Sequence, residues 1–334
     1  MILNKFLKNF ILVFLSIFLV LIFLELFIRL ILKDTPRGAY TSDFKDQPIA
    51  FTEDEILGWK PKIGKFTFRP WADGGQTINL TNLKDGSRLI SGSSEKKKII
   101  FIGGSLTQGW AVDDKDTFSW ALQKKTEKFK IKNYGVGGYG GVQSLLKLKN
   151  IFKSQKDIKI VVYGFIPHHE VRNIASGSWM HLLLRASQEK EPNVFIPYAS
   201  IKDEKLKIYK PKKYLKLPLG EKSALVTKIE KRILKLSSFK RTFQELEISK
   251  KILLEMRSVS KKNGSKFVLI FLNKLSPEKS DLYAEFLKKN SIQYINCHFP
   301  SGKQYRVIGE GHPNGTAHKY VANCIYDKLI SKIK

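Results

Sequence analysis

Hydrophobic and polar residues follow two alternating periods along the second half of the chain. Short apolar runs bounded by polar or glycine-rich turns predict buried strands at residues 99–102, 160–163, 266–272 and 292–296. Apolar residues at helical spacing predict helices at 242–262 and 277–290, and a closing helix after residue 312. Strands that alternate with helices favour a parallel sheet covered on both faces. We therefore expect a three-layer α/β/α domain with a mainly parallel sheet of about five strands.

Two segments depart from this rhythm. Residues 174–240 contain two predicted paired strands, at 194–198 and 206–215, and an amphipathic helix at 221–236, so we interpret the segment as an insertion. Residues 34–95 predict short strands and turns that pack on the main domain as a lead segment. The expected organisation is an N-terminal segment over 1–33, the lead segment over 34–95 and the main domain over 96–334.

The N-terminal segment has a different composition. From Phe10 to Leu32 the chain is apolar except for Ser16, Glu25 and Arg29. A helix of this length is about 35 Å long, which is enough to cross a bilayer. Lysines precede the run and no convincing cleavage site follows it, so we expect an uncleaved, single-pass anchor in the inner (cytoplasmic) membrane, with the main domain on the periplasmic side. A cleaved signal peptide is the alternative.

The formal net charge of +29 would attract anionic surfaces such as lipid headgroups, acidic glycans or nucleic acid. The lysines are scattered and no nucleic-acid-binding module is recognisable, so we interpret the charge as a lysine-rich composition without a nucleic-acid partner. Cys297 and Cys324 fit either a disulfide or two buried free thiols. The sequence does not determine an oligomeric state.

The predicted strand at 99–102 ends in Gly103 and Gly104, and Ser105 follows at once. Such a strand–glycine–serine–helix arrangement presents a nucleophile at the carboxyl end of a parallel strand. Near the other end of the chain, Glu310 and His312 lie two residues apart before the closing helix. A histidine can take the serine proton, and a carboxylate can orient the imidazole.

These motifs, together with Asn133-Tyr-Gly-Val-Gly-Gly138 between them, resemble the SGNH (GDSL-type) hydrolase superfamily over about residues 96–334. The resemblance implies a nucleophilic Ser105, a general base at His312 and an oxyanion-hole glycine at Gly138, with the Ser105 amide as a second donor. Gly104 stands where the family usually has Asp, and Glu310 stands where many relatives have Asp. No metal or other cofactor is implied.

The third block of the family departs most from its usual pattern. It normally supplies an asparagine to the oxyanion hole after a strand that ends near Gly-x-Asn-Asp, whereas here the strand leads into Gly164-Phe-Ile-Pro-His168. His168 could replace that donor, Asn173 could reach back from one turn further along, or backbone donors alone could remain. The adjacent His168 and His169 lack further ligands at metal-like spacing, so we expect no metal site.

The expected function is a membrane-tethered serine esterase that acts on acyl esters, with envelope glycans or lipids as candidate substrates. An O-acyltransferase acting on a glycan and a non-catalytic module that binds a glycan or a partner are the alternatives. The apolar run Ser178-Trp-Met-His-Leu-Leu-Leu184 follows the third block. Trp179, Met180 and residues 182–184 either form a cap over Ser105 or pack into the core as a helix.

Overall fold

A parallel five-stranded sheet lies at the centre of this computed structural model, which describes residues 2–39, 48–69, 76–185 and 193–333. The strand order is β11–β10–β7–β5–β6, and every neighbouring pair in this sheet is parallel. The expected sheet is therefore confirmed. The strands of the described residues are β1 Phe51–Asp54, β2 Gly58–Pro61, β3 Gly64–Phe68, β4 Ile78–Asn82, β5 Lys98–Gly103, β6 Lys130–Asn133, β7 Ile158–Phe165, β8 Phe195–Lys202, β9 Lys205–Lys213, β10 Lys266–Phe271 and β11 Gln293–Asn296.

Helices cover both faces of the sheet, which explains why its central strands are continuous apolar runs rather than alternating ones. One face packs against α4, α8 and α9, and the other packs against α3 and α10. The helices are α1 Ile2–Leu30, α2 Ser105–Gln108, α3 Phe118–Gln123, α4 Gly141–Ser154, α5 His169–Asn173, α6 Gly177–Arg185, α7 Ala224–Thr242, α8 Glu245–Lys262, α9 Pro277–Lys289 and α10 Gly315–Lys328. The three-layer α/β/α arrangement follows.

The insertion forms an antiparallel hairpin of β8 and β9 between two helices, α6 and α7. The predicted strand pair is present, but α7 ends six residues later than the sequence prediction and α8 begins at Glu245. The packed face of α7 continues past residue 236 through Ser238, which is buried beside Gly177. Ser223 accepts a hydrogen bond from the Val226 amide and caps the helix at its N-terminus.

The lead segment forms two antiparallel hairpins, β1–β2 and β3–β4. Bridges from Arg88 to Asn82 and to Asn133 connect the second hairpin to the edge strand β6. The lead segment therefore extends one edge of the central sheet.

The N-terminal helix α1 has mostly exposed apolar side chains, and Lys5–Leu30 is long and apolar enough to cross a membrane. Its length and composition fit a single-pass anchor and fit a signal sequence equally well. Near its end, Arg29 Nε lies 2.6 Å from Glu25 Oε1. At the other end of the chain, Cys297 and Cys324 form a disulfide between the end of β11 and α10.

Candidate active site

Ser105 begins helix α2 directly beyond the carboxyl end of β5. Gly103 has a φ of +151°, and a Cβ there would lie 2.3 Å from Thr107 Oγ1 and 2.8 Å from the Gly164 carbonyl oxygen. Only glycine fits this turn without displacing the neighbouring strand. The two glycines that the sequence placed before the serine therefore allow β5 to turn sharply into α2.

His312 and Glu310 lie in the loop that precedes α10. An isolated bridge between Arg306 and Pro313 closes this loop, and Asn314 caps the following helix. Glu310 Oε2 accepts a hydrogen bond of 2.7 Å from the His312 amide, and Glu310 Oε1 contacts His312 Nδ1. Because one carboxylate engages both the backbone and the ring of His312, the imidazole is held in one orientation.

The structure brings these residues to Ser105, which is more than 200 positions away in the sequence. Ser105 Oγ and His312 Nε2 are 2.9 Å apart, which is within hydrogen-bonding distance. The side chain of Glu310 is 2% exposed and that of His312 is 28% exposed, so the acid is shielded from water while the ring is partly accessible. Serine, histidine and carboxylate thus form a continuous chain of contacts suited to nucleophilic catalysis.

The loop after β6 is fixed to α2 by side-chain hydrogen bonds. Asn133 Nδ2 donates to the Thr107 carbonyl oxygen over 2.7 Å, and Asn133 Oδ1 accepts from the Gly135 amide over 2.9 Å. Gln108 Oε1 accepts from the Gly137 amide over 2.8 Å. The asparagine of the second motif therefore sets the position of the glycine loop relative to the serine helix.

Gly138 follows in this loop with a φ of +81°. Across the described ranges, the backbone amides of Ser105 and Gly138 donate to no other protein group. A Cβ on Gly138 would lie 2.9 Å from Trp59, 3.4 Å from Leu183 and 3.5 Å from Trp179. The candidate oxyanion glycine therefore lies against an apolar wall built by the lead segment and α6.

The apolar run at 178–184 lies in helix α6, which packs into a small core and also reaches Gly138. Trp179 and Leu183 lie beside Gly138, and they pack in the same core as Met180 and Leu184, with β8 and α7. Leu182 is exposed. Because residues four apart share one face of a helix, the face with Trp179 and Leu183 contacts both the candidate site and the core, and a cap over Ser105 stays a prediction.

Sequence reasoning assigned no role to Trp59. Its indole Nε1 donates to the Gly137 carbonyl oxygen over 3.0 Å, and its own carbonyl oxygen accepts from the Tyr139 hydroxyl. In the sequence, the only indication that Trp59 has a role was the short Leu57-Gly-Trp59 motif in the lead segment. The contact joins residues about 80 positions apart, which local periodicity does not reveal.

The third block lies at the start of α5. His168 is exposed there, and its part in the oxyanion hole stays a prediction. Asn173 is buried, and its side chain is hydrogen-bonded to other groups: Oδ1 accepts from the Val142 amide and Nδ2 donates to Ser249. In the part of the chain that the structure describes, no group of three or more His, Cys, Asp or Glu side chains could hold a metal ion.

The space beside Gly104 is occupied by α5. A Cβ on Gly104 would lie 2.9 Å from His169 Nε2 and 3.0 Å from both Arg172 Nη1 and the Tyr139 carbonyl oxygen. Burial lowers the pKa of His169 well below its usual value, so its ring is neutral, and Nδ1 lies 2.6 Å from the Tyr163 hydroxyl. A larger side chain at position 104 would therefore require the His169 and Arg172 side chains or the loop at Tyr139 to shift.

Arg172 is the charged member of this packing. Its Nη1 donates to the Tyr139 carbonyl oxygen over 3.0 Å, and its guanidinium lies 4.2 Å from the centre of the Trp179 ring. Burial lowers its pKa to about 10, so it remains cationic at neutral pH. A buried positive charge therefore lies directly behind the loop that carries Gly138.

Arg88, from the lead segment, holds the other side of helix α2. It is 2% exposed and forms a 2.9 Å ion pair with Asp114. Its guanidinium also donates to the carbonyl oxygens of Gln108, Gly109 and Val112. The loop after α2 is therefore fixed by one buried cation that sequence reasoning did not single out.

Comparison with known proteins finds similarity at the level of structure. No protein-family model and no curated protein matches the chain. It is similar to a member of the lipolytic protein G-D-S-L family from Veillonella parvula DSM 2008, with 10% identity, 71% of this chain and 100% of the other covered, and a TM-score of 0.41. TesA gives 10% identity, 71% and 100% coverage and a TM-score of 0.43. A carbohydrate esterase gives 12% identity, 85% coverage of both chains and a TM-score of 0.39.

These names describe the neighbours themselves. Because the TM-scores lie below 0.5, the α/β/α fold rests on the strand order and the helix layers described above. The chemistry of the site rests on its own distances.

Proposed function

We propose that this chain is a membrane-tethered serine esterase of the SGNH type. The observation that carries the proposal is the contact chain from Ser105 Oγ through His312 to the shielded carboxylate of Glu310. A serine hydroxyl becomes an effective nucleophile when an oriented imidazole can take its proton. Hydrogen-bonding distance between serine and histidine also favours an enzyme over a binding module on the same fold.

The reaction has two halves. Ser105 Oγ attacks the acyl carbonyl carbon while its proton passes to His312 Nε2, and the amides of Ser105 and Gly138 donate to the oxyanion that forms. The carbon–oxygen bond of the ester then breaks, and the alcohol leaves with the proton from His312. In the second half, His312 takes a proton from water, the resulting hydroxide cleaves the acyl-enzyme, and Ser105 regains its proton.

The wall around Gly138 supports a substrate with an apolar or ring-shaped part next to the ester. Trp59, Trp179 and Leu183 offer the flat and aliphatic surfaces that acyl chains and sugar rings contact. Acyl esters of envelope glycans or lipids fit this surface. Transfer of the acyl group to a glycan hydroxyl, in place of water, uses the same acyl-enzyme and is the second candidate.

The tether and compartment form the other part of the proposal. The exposed apolar helix α1 supports a single-pass anchor in the inner membrane, with the domain on the periplasmic side. The Cys297–Cys324 disulfide supports the same location, because disulfides persist in oxidising compartments. Protease protection in spheroplasts would test this topology, since a periplasmic domain is digested from outside while a cytoplasmic one is protected.

The decisive experiment combines labelling with turnover. A fluorophosphonate probe should label the full chain in detergent, and Ser105→Ala should abolish both labelling and hydrolysis of a short acyl ester. Glu310→Gln should keep the nucleophile but lower kcat by roughly 10³–10⁴-fold, because a glutamine amide can direct N–H toward His312 Nδ1 and impose the wrong tautomer. Ser301→Ala, at an exposed loop serine, is the matched control.

Each alternative predicts a different result. Turnover that is undiminished in Ser105→Ala would exclude the mechanism. Absence of labelling and turnover in a chain that still binds a glycan would favour the binding module. Acylated sugar in place of free acid, when a glycan acceptor is supplied, would identify a transferase.

A further inference from the structure

Helix α7 carries an exposed apolar stripe opposite its packed face. Its packed face is buried against α6 and the rest of the insertion. On the other side, large apolar side chains recur every three or four residues and are between 40% and 77% exposed. These side chains are Ile229, Ile233, Leu236, Phe239 and Phe243. The packed side buries Ala224, Thr227, Glu230, Leu234 and Ser238, so the larger apolar side chains are on the exposed side. An exposed apolar stripe of this length indicates that something covers it.

The helix begins at the end of α1. Glu25 Oε1 accepts from the Ala224 amide and Glu25 Oε2 from the Leu225 amide, each over 2.9 Å. Arg29 Nη2 donates to the Lys222 carbonyl oxygen over 2.6 Å. A side chain of α1 therefore caps α7, and the first turn of α7 lies at the level of Glu25.

The length of α1 indicates how deep Glu25 lies relative to the bilayer. The residues from Phe6 to Leu24 are apolar except for Lys8, Asn9 and Ser16, and they span about 28 Å as a helix, close to the thickness of the hydrocarbon core. With this stretch in the core, Glu25 lies at the outer boundary of the bilayer. The N-terminus of α7 is then placed at the membrane–water interface.

Basic side chains accompany the stripe. Arg232, Lys235 and Lys240 are exposed on the same part of α7. Long basic side chains can lie along apolar surface and keep their charges at the lipid phosphates. The net charge of +29 opposes a second copy of the chain as the covering partner and favours an anionic surface.

We propose that α7 lies in the membrane–water interface, with its apolar stripe among the upper acyl chains and its basic residues at anionic headgroups. This inference rests on the membrane tether of the proposed function. Helix α6 packs directly on α7, since a Cβ on Gly177 would lie 2.7 Å from the Lys235 amide nitrogen. The wall that α6 contributes beside Gly138 is then on the membrane side of the catalytic site. The ester that reaches Ser105 is therefore one carried at the bilayer surface.

The test measures lipid contact at single positions. Leu236→Cys and Phe243→Cys, labelled with nitrobenzoxadiazole in the full chain, are reconstituted in vesicles of phosphatidylcholine with a minority of phosphatidylglycerol. The native cysteines are joined in a disulfide and do not react. Tyr320→Cys on α10 is the matched control, because Tyr320 is 57% exposed and Leu236 is 60% exposed.

Blue-shifted emission at 236 and 243, and its loss when the vesicles contain doxyl-labelled lipid, is the expected result, with emission at 320 unchanged. Emission at 236 and 243 that is insensitive to doxyl lipid would overturn the proposal. Equal quenching at all three positions would also overturn it, because the domain would then adsorb without orientation. Emission that follows protein concentration instead of lipid would assign the stripe to a second copy.

The same labelled chains separate this inference from the proposed function. Adding Ser105→Ala should leave the quenching unchanged while it abolishes turnover. Quenching without turnover in the unsubstituted site would refute the esterase and keep the membrane contact. A chain that does not enter vesicles at all would refute the tether, and the interfacial position of α7 with it.

Discussion

Replacing Arg88 by methionine should destabilise the protein far more than breaking an exposed ion pair of the same length. The Arg88 and Asp114 side chains are 1% and 6% exposed and lie 2.9 Å apart. Methionine retains much of the apolar stem but removes the charge, which leaves a buried carboxylate with fewer partners. Breaking one side of a buried pair costs about 3–5 kcal/mol.

Lys149→Met is the matched control. Lys149 and Glu255 lie 2.8 Å apart, but their side chains are 42% and 41% exposed. An exposed pair of this kind contributes about 0–1 kcal/mol, because water and salt screen it. Comparing the free energies of unfolding of the two variants therefore isolates the effect of burial, because the N–O distances of the two ion pairs are nearly equal.

The assay is guanidinium-induced unfolding of the full chain in detergent, followed by tryptophan fluorescence. Arg88→Met should lower the free energy of unfolding by at least about 2 kcal/mol more than Lys149→Met does. It should also reduce turnover of the proposed ester substrate by the folded fraction, because the carbonyl oxygens of Gln108 and Gly109 at the end of α2 lose their donor. Equal losses of stability in the two variants would refute the reasoning from burial.

Three further changes test other parts of the structure. Gly104→Ala should lower the free energy of unfolding by about 1–3 kcal/mol, because its Cβ would lie 2.9 Å from a buried imidazole nitrogen; an unchanged unfolding curve would contradict this. Replacing Cys297 and Cys324 together by alanine should cost about 3–4 kcal/mol, since the disulfide closes a loop with a sequence separation of 27, and calorimetry with and without reductant measures it. Burial opposes ionisation of Asp85, but hydrogen bonds from Lys132 and a neighbouring serine lower its pKa from 3.8 to about 2. This contribution to stability is complete above pH 3.8 and is lost as the pH falls toward 2, so Lys132→Met should shift acid unfolding to higher pH; an unshifted acid midpoint would count against the ion pair.

The centre of the sheet was predictable because β5, β7 and β10 are buried on both faces and read as uninterrupted apolar runs. The edge strand β6, Lys-Ile-Lys-Asn, alternates instead and was not singled out. The positions of Ser105, Glu310 and His312 were predictable as motifs, since each lies at an element boundary with a glycine-rich or capping sequence. Their mutual distances were not, because the 2.9 Å contact joins residues 207 positions apart. Sequence periodicity also could not show that Trp179 and Leu183 reach Gly138 as well as the core, since this contact joins α6 to a loop about 40 positions earlier.

The roles of Arg88 and Trp59 were beyond local reasoning for a related reason. Each donates to backbone carbonyl oxygens, and a backbone acceptor leaves no mark in the sequence. The ion-pair partner of Arg88, Asp114, is 26 positions away and is equally invisible to local periodicity. The packing beside Gly104 could not be predicted either. The glycine was visible as a departure from the usual motif, but the buried ring next to it lies on another helix.

The double attachment of Trp59 to the glycine loop makes the lead segment part of the candidate site. A fragment cut at residue 96 would keep Ser105, Glu310 and His312 but lose the indole and carbonyl that brace residues 137–139. It would also lose Arg88 and leave the buried Asp114 carboxylate without its ion-pair partner. The segment between α1 and the central sheet is therefore more than a connection of a given length. Replacing it with an unrelated segment of equal length would change the surroundings of Gly138 and the support of α2 together.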